Sequence, residues 1–172
     1  YTTNPDNPIT GEVWYNETDN VLKFQYPATS AAWRTSNGLN TGRNELSGAG
    51  IQTAALMFGG VISSTKKTET ESYNGTSFSE VNDLSTARNL LGSSGTSNTA
   101  SLAFGGDVGG GSTTANTEVW NGTNWTEVNN LNSSREAPAG FGSSTAAIAS
   151  GGKISTATAN TEVWNGTNWT EV

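Results

Sequence analysis

The stretch Thr114–Val128, TANTEVWNGTNWTEV, decides the fold. It returns unchanged at Thr158–Val172, and a diverged copy, TETESYNGTSFSEV, occupies Thr68–Val81. Repetition this close marks an array of equivalent units. In every copy, residues of high β propensity flank an Asn-Gly pair, at Asn74-Gly75, Asn121-Gly122 and Asn165-Gly166. Asn-Gly favours the positive φ of a tight hairpin turn, so each copy reads as two antiparallel strands.

Working outward, four kinds of marker keep one register. Double glycines stand at Gly59-Gly60, Gly105-Gly106 and Gly151-Gly152. Aromatics follow the Asn-Gly turns at Phe78, Trp125 and Trp169, with Trp33 as an earlier member. Leu39, Leu84 and Leu131 come next, and Arg43, Arg88 and Arg135 close each set. The period is near 46 residues, and its small spread is what loops of differing length produce.

Each repeat accommodates four short strands. The first are predicted at Glu45–Gly50, Leu90–Gly95 and Ala137–Gly142, rich in small residues. The second, Ala54–Phe58, Ala100–Phe104 and Thr145–Ala149, are runs of small and apolar residues suited to burial on both faces. The third are Thr68–Tyr73, Thr117–Trp120 and Thr161–Trp164; the fourth are Ser77–Val81, Asn124–Val128 and Asn168–Val172. No stretch sustains a capped 3.6-residue period, so no substantial helix is predicted. Before the array, residues 1–10 read as an extended arm. Gly11–Tyr26 reads as a hairpin with arms Val13–Tyr15 and Val21–Phe24, and Pro27–Ser30 breaks the pattern. The domain reading is a connector at 1–32 and repeats at 33–172, in units of about 43–88, 88–135 and 135–172.

Composition bounds the function. Only 33% of residues are hydrophobic, but charged residues are just 13% and the aromatics recur at fixed positions, which fits a turn-rich all-β fold rather than a disordered chain. A net charge of -7 repels phosphate, which argues against nucleic acid and anionic lipid as partners. No apolar run approaches the length of a membrane span. The chain has neither His nor Cys, which removes Ser-His-Asp and Cys-His nucleophile systems, imidazole copper sites and the usual zinc sites. The GGDVGGG run at Gly105–Gly111 lacks the Lys-Ser/Thr of a phosphate loop and reads as a turn. NETDN at Asn16–Asn20 lacks regular calcium-loop spacing and reads as an Asx-rich turn. Glu118 with Glu127, and Glu162 with Glu171, are placed to face each other across a hairpin; recurrence in every repeat favours a structural role. The Asn-X-Thr triplets at Asn16, Asn74, Asn121, Asn124, Asn165 and Asn168 read as turn and strand-entry residues. No catalytic, cofactor or metal residue is assigned.

Two resemblances follow. A strand ending in Gly-Gly, then two aromatics such as Trp120 and Trp125, on this period, resembles the kelch repeat over 33–172. That family implies four-stranded blades of a β-propeller. The five-residue spacing of Tyr73–Phe78 and Trp120–Trp125 is shorter than the usual kelch gap. The opening NPDNPITGEVWYNETDNVLKF is similar to a module near the start of bacteriophage tail-fibre and virion appendage proteins.

The expected fold is therefore all-β, with kelch-like blades of an incomplete propeller. Three double-glycine strands are few for closure, so the array is expected either to continue in a longer chain, which Tyr1 in place of Met favours, or to close through other subunits. Trp120, Trp125, Trp164 and Trp169 are candidates for packing between blades or for stacking on sugar rings. Gly59, Gly60, Gly105, Gly106, Gly151, Gly152, Arg43, Arg88 and Arg135 are expected to hold the repeat. The arginines are expected to bind carbonyls or carboxylates of a neighbouring repeat. The functional expectation is a non-enzymatic phage virion protein, a tail or head fibre, whose partners are other virion proteins and host-surface glycans, acting as a homo-oligomer or part of a larger assembly. The alternative is a secreted or surface bacterial adhesin or carbohydrate-binding module.

Overall fold

The computed structural model describes residues 12–24 and 35–172. Trp33 and the 27–30 break lie outside the described residues. The chain divides into two compact units, 1–35 and 36–172.

In the first unit, β1 (Val13–Asn16) and β2 (Val21–Phe24) form an antiparallel hairpin, with Asn16 opposite Val21. The Asn16 side chain accepts the Asp19 N–H at 2.9 Å, so the NETDN loop is an Asx turn.

The second unit holds three four-stranded antiparallel sheets. Sheet I orders β3 (Ser47–Ile51), β4 (Ala54–Phe58), β7 (Thr70–Tyr73) and β8 (Phe78–Val81). Sheet II orders β9 (Gly92–Ser97), β10 (Ala100–Phe104), β13 (Thr117–Trp120) and β14 (Trp125–Val128). Sheet III orders β15 (Ala139–Gly142), β16 (Ala147–Ser150), β17 (Thr161–Trp164) and β18 (Trp169–Glu171). Each is a meander, and the described residues contain no helix, hence none able to cross a membrane.

The first strand of each sheet begins two residues later than the sequence suggests. Glu45, Leu90 and Ala137 take φ values of 55°, 50° and 52°, a left-handed conformation that cannot lie within a strand. The kink serves the array. The Leu90 N–H donates to Glu45 O at 3.0 Å, and the Ala137 N–H donates to Leu90 O, so the same peptide of successive repeats forms a hydrogen-bonded row. The second strand of sheet III is likewise shifted, to Ala147–Ser150.

The Asn-Gly turns also differ from a two-residue hairpin. Strands pair at Tyr73 with Phe78, Trp120 with Trp125 and Trp164 with Trp169, leaving four-residue loops. Only the glycine takes positive φ, 93° to 95° at Gly75 and Gly122. The asparagine acts as an acceptor instead: Asn121 Oδ1 receives the N–H groups of Thr123 and Asn124 at 2.9 and 2.8 Å.

Two short hairpins stand between the second and third strands: β5 (Val61–Ile62) with β6 (Thr65–Lys66), and β11 (Asp107–Gly109) with β12 (Ser112–Thr113). Their central pairs, Ser63-Ser64 and Gly110-Gly111, all have positive φ, as a type I′ turn requires. The GGDVGGG run is thus the root and turn of a hairpin.

The core lies between sheets. Leu56, Phe58, Leu84, Leu91, Ala103 and Trp120 form one cluster between sheets I and II. Leu102, Phe104, Leu131, Ala147, Ala149, Trp164 and Trp169 form the corresponding cluster between sheets II and III. The same positions recur, which explains the register of the sequence markers. Each fully buried Leu or Phe contributes about 1.5–3 kcal/mol.

Candidate functional site

The three recurring arginines and three recurring glutamates form clamps. Arg88 donates to Glu118 at 2.8 Å, to Gly105 O at 3.0 Å and to Asn116 O at 2.7 Å. The free lobe of Glu118 accepts the Ser85 N–H at 2.9 Å. Arg43 with Glu71 and Arg135 with Glu162 repeat the pattern, and all six side chains are fully buried. Glu71 also accepts the Asn40 N–H, and Glu162 the Asn132 N–H.

Each clamp therefore ties the segment leading into a repeat (40–43, 85–88, 132–135) to the third strand of the same repeat. The partners lie within the arginine's own repeat, not in a neighbour. The reason is the chain path. The arginine enters beside the end of its own second strand, where the Gly-Gly carbonyl is turned toward it. The double glycines also let the backbone of the next repeat's arginine come close, with Gly60 N–H donating to Arg88 O and Gly106 N–H to Arg135 O. Gly59 and Gly105 take φ near 65°, and a Cβ on Gly105 would stand 2.6 Å from Arg135 O. Burial pushes the Arg88 guanidinium below its ordinary pKa, and Glu118 and then Glu127 oppose that shift. An arginine starts high enough to remain charged.

The cross-hairpin carboxylates do sit opposite each other, Glu118 with Glu127 and Glu162 with Glu171. Their surroundings differ completely. Glu118 and Glu162 are sealed in clamps, while Glu127 and Glu171 are exposed on the outermost strands. They form no shared cleft, and no group of three acidic residues among the described residues is arranged to hold a metal.

The four tryptophans are engaged. Trp120 and Trp164 are 1% exposed and donate from Nε1 to Asn98 O and Ser144 O. Trp125 and Trp169 reach the preceding sheet: Trp125 Nε1 donates to Thr70 Oγ1, and Trp169 Nε1 to Thr117 Oγ1, both at 3.0 Å. Each also meets a phenylalanine edge to face, Phe58 with Trp125 at 4.8 Å and Phe104 with Trp169 at 5.0 Å. Such pairs add about 0.5–1.5 kcal/mol beyond their buried area. Trp120, Trp164 and Trp169 are buried and Trp125 is half-buried, so these indoles fix one sheet on the next.

The two ends of the sheets are accessible, and they differ in chemistry. In each sheet, antiparallel pairing places the turn between strands one and two beside the turn between strands three and four. That end carries Gln52, Thr53, Asn74, Thr76, Thr99, Asn121, Thr123, Thr145, Asn165 and Thr167, all exposed, and its loops contain no charged residue. The opposite end carries the small hairpins and the charged pairs, Lys66 with Asp107 at 2.7 Å and Lys153 with Glu136 at 2.9 Å. The amide-hydroxyl end was legible as a run of Asn-Gly-Thr turns. Its lack of charge emerges only when the turns are brought to one side. Of the clamp glutamates, Glu118 and Glu162 stand out in the sequence only as partners of Glu127 and Glu171 across a hairpin; their pairing with Arg88 and Arg135 is not readable from it.

No family model matches the chain, and no curated protein matches it. A solved structure described as the structure of YjhT is similar, with a TM-score of 0.62 and 9% identity, over 88% of this chain and 47% of that one. The chain thus spans about half the length of that neighbour.

Proposed function

We propose that this chain is a non-enzymatic kelch-like β-propeller module of a bacteriophage virion appendage, a tail or head fibre, whose uncharged end binds neutral host-surface saccharides. The observation that carries the reading is the end whose exposed loops carry amides, hydroxyls and glycines and no charge. Saccharide hydroxyls are recognised by fixed amide and hydroxyl groups, and an uncharged rim accepts them without attracting ions. The Asx turns hold the asparagine carbonyls, so the loops are pre-organised and lose little entropy on binding. The opening hairpin, similar to virion appendage modules, supplies the phage element of the proposal, and the opposite, charged end is available to neighbouring virion proteins.

A glycan array with the full chain tests the saccharide arm. Binding to neutral glycans, lost in a variant carrying Thr76→Asp, Thr123→Asp and Thr167→Asp with an unchanged far-UV spectrum, supports it. An array without a binder overturns it. Mass spectrometry of purified virions tests the location.

A further inference from the structure

We propose that two copies of this chain associate head to tail, the outward face of sheet III in each copy packing on the outward face of sheet I in the other, to close a ring of six sheets. Both of these faces depart from the faces already covered within the chain.

Each covered contact uses the same positions. One sheet offers Phe58 or Phe104 at the end of its second strand and Thr70 or Thr117 beside it. The next sheet offers Ala103 or Ala149 and Trp125 or Trp169, with the indole N–H on the threonine. Sheet III breaks this pattern on its open face. Ser150 replaces the phenylalanine, and Phe141 stands where sheets I and II have Ala49 and Ser94. Sheet I breaks it on its own open face. Met57 replaces the alanine and Phe78 replaces the tryptophan.

These departures match one another. A small Ser150 against a large Met57 inverts the large Phe104 against the small Ala149. Phe78 has no N–H to give a threonine, and on sheet III the threonine does not need one. Thr161 Oγ1 is already hydrogen-bonded to Ser150 Oγ at 2.9 Å. Ser94 donates to Ser143 O across the covered contact. The residue of sheet I at the position of Ser143 is Ile51, so Phe141 would meet an apolar partner there. Phe141, Ile148 and Ile51 are 64%, 42% and 57% exposed in the single chain. A further repeat of the Trp169 type would present sheet III with an indole N–H and no phenylalanine to stack on, whereas sheet I of a second copy fits its edits position by position.

The stoichiometry follows from the same geometry. A head-to-tail contact leaves no open face only if it closes. Two copies supply six sheets, within the 4–8 that such rings use. The segment 37–43 already fills on sheet I the place that 82–88 fills on sheet II, so the incoming face needs to bring only its sheet.

Sedimentation equilibrium of the full chain gives the first readout: a mass about twice the 17.9 kDa of the chain is the expected result, and the mass of one chain at all concentrations overturns the proposal. The variant Phe141→Asp is expected to halve the mass with an unchanged far-UV spectrum, since Phe141 packs on nothing essential in the single chain. Retention of the doubled mass overturns the assignment of the face. The chain has no cysteine, so the double variant Ile51→Cys, Phe141→Cys reports the pairing directly. A covalent dimer with 51–141 linkages supports closure; a ladder of higher species, or no linkage, overturns it.

Discussion

The face of sheet II that is covered by sheet III and the face of sheet III that is open use the same strand positions to different ends. Leu102 and Phe104 are fully buried, and Thr117 takes its hydrogen bond from the indole of the next sheet. At the equivalent places Ile148 is 42% exposed, a serine stands for the phenylalanine, and that serine serves the threonine from within its own sheet. The clamp behind both faces is unchanged, Arg88 with Glu118 and Arg135 with Glu162. A repeat therefore has two separable parts: an internal lock that every copy keeps, and a face whose composition follows its neighbour.

The largest expected effect separates the faces. Phe104→Ala empties a position enclosed by two sheets and should cost about 3–5 kcal/mol. Ile148→Ala, made in a Phe141→Asp background that keeps the chain single, should cost under about 1 kcal/mol, because its side chain is already half in water. Urea unfolding of both variants checks this, and equal costs would break the distinction between covered and open faces.

The clamp should ignore that distinction. Arg88→Ala and Arg135→Ala each leave a buried carboxylate without its cation, at a cost of about 3 kcal/mol. The two values should agree, although one arginine belongs to a repeat covered on both sides and the other does not. A clearly smaller effect at Arg135 would show that the lock depends on the neighbouring sheet after all.

A smaller effect tests the logic of the edited face. Trp169→Phe removes the N–H that Thr117 accepts, and should cost about 1–3 kcal/mol. Adding Phe104→Ser recreates the Ser150–Thr161 arrangement inside the array, because a serine there can bond Thr117. The double variant should then be more stable than the sum of the single effects predicts, by about 0.5–1 kcal/mol. Strict additivity would mean that Ser150 and Thr161 are neighbours without being partners.

The same separation explains what was readable in the sequence. The sheets announced themselves because their markers repeat: Gly-Gly, Arg, Leu and the aromatic pair each mark a contact made once per repeat. Second strands such as Ala54–Phe58 and Ala100–Phe104 were placed to the residue, since burial on both faces leaves an unbroken apolar run. First strands were placed two residues early because nothing in Glu45, Leu90 or Ala137 signals a positive φ. That conformation is imposed by the hydrogen bond to the adjoining repeat, a long-range cause. The hairpin at Val61–Lys66 was missed for the same kind of reason, its turn being Ser-Ser rather than Asn-Gly. The role of Glu118 was hidden because a glutamate in a strand looks identical whether it faces water or a buried arginine. Only its opposite number, the exposed Glu127, behaves as its residue type suggests.

The smallest effect concerns the charged end, where successive repeats also touch. Lys66 of one hairpin meets Asp107 of the next at 2.7 Å, with both side chains about one-fifth exposed. The hydrogen bond from Lys66 holds the Asp107 carboxyl below its ordinary pKa; partial burial pushes the other way, and the Gly109 N–H adds to the lowering. A carboxyl whose folded pKa is depressed stabilises the fold fully above its unfolded value, about 3.9, and loses that contribution as pH falls through the lower folded value. The pair is semi-exposed, so its worth is about 0.5–1 kcal/mol. The stability difference between the native chain and Asp107→Asn should therefore be present at neutral pH and vanish below the folded pKa. Salt should reduce it at neutral pH, because the pair is near enough to solvent to be screened. A difference that survives in strong acid would have to come from the shape of the β11–β12 turn that Asp107 caps, and not from its charge.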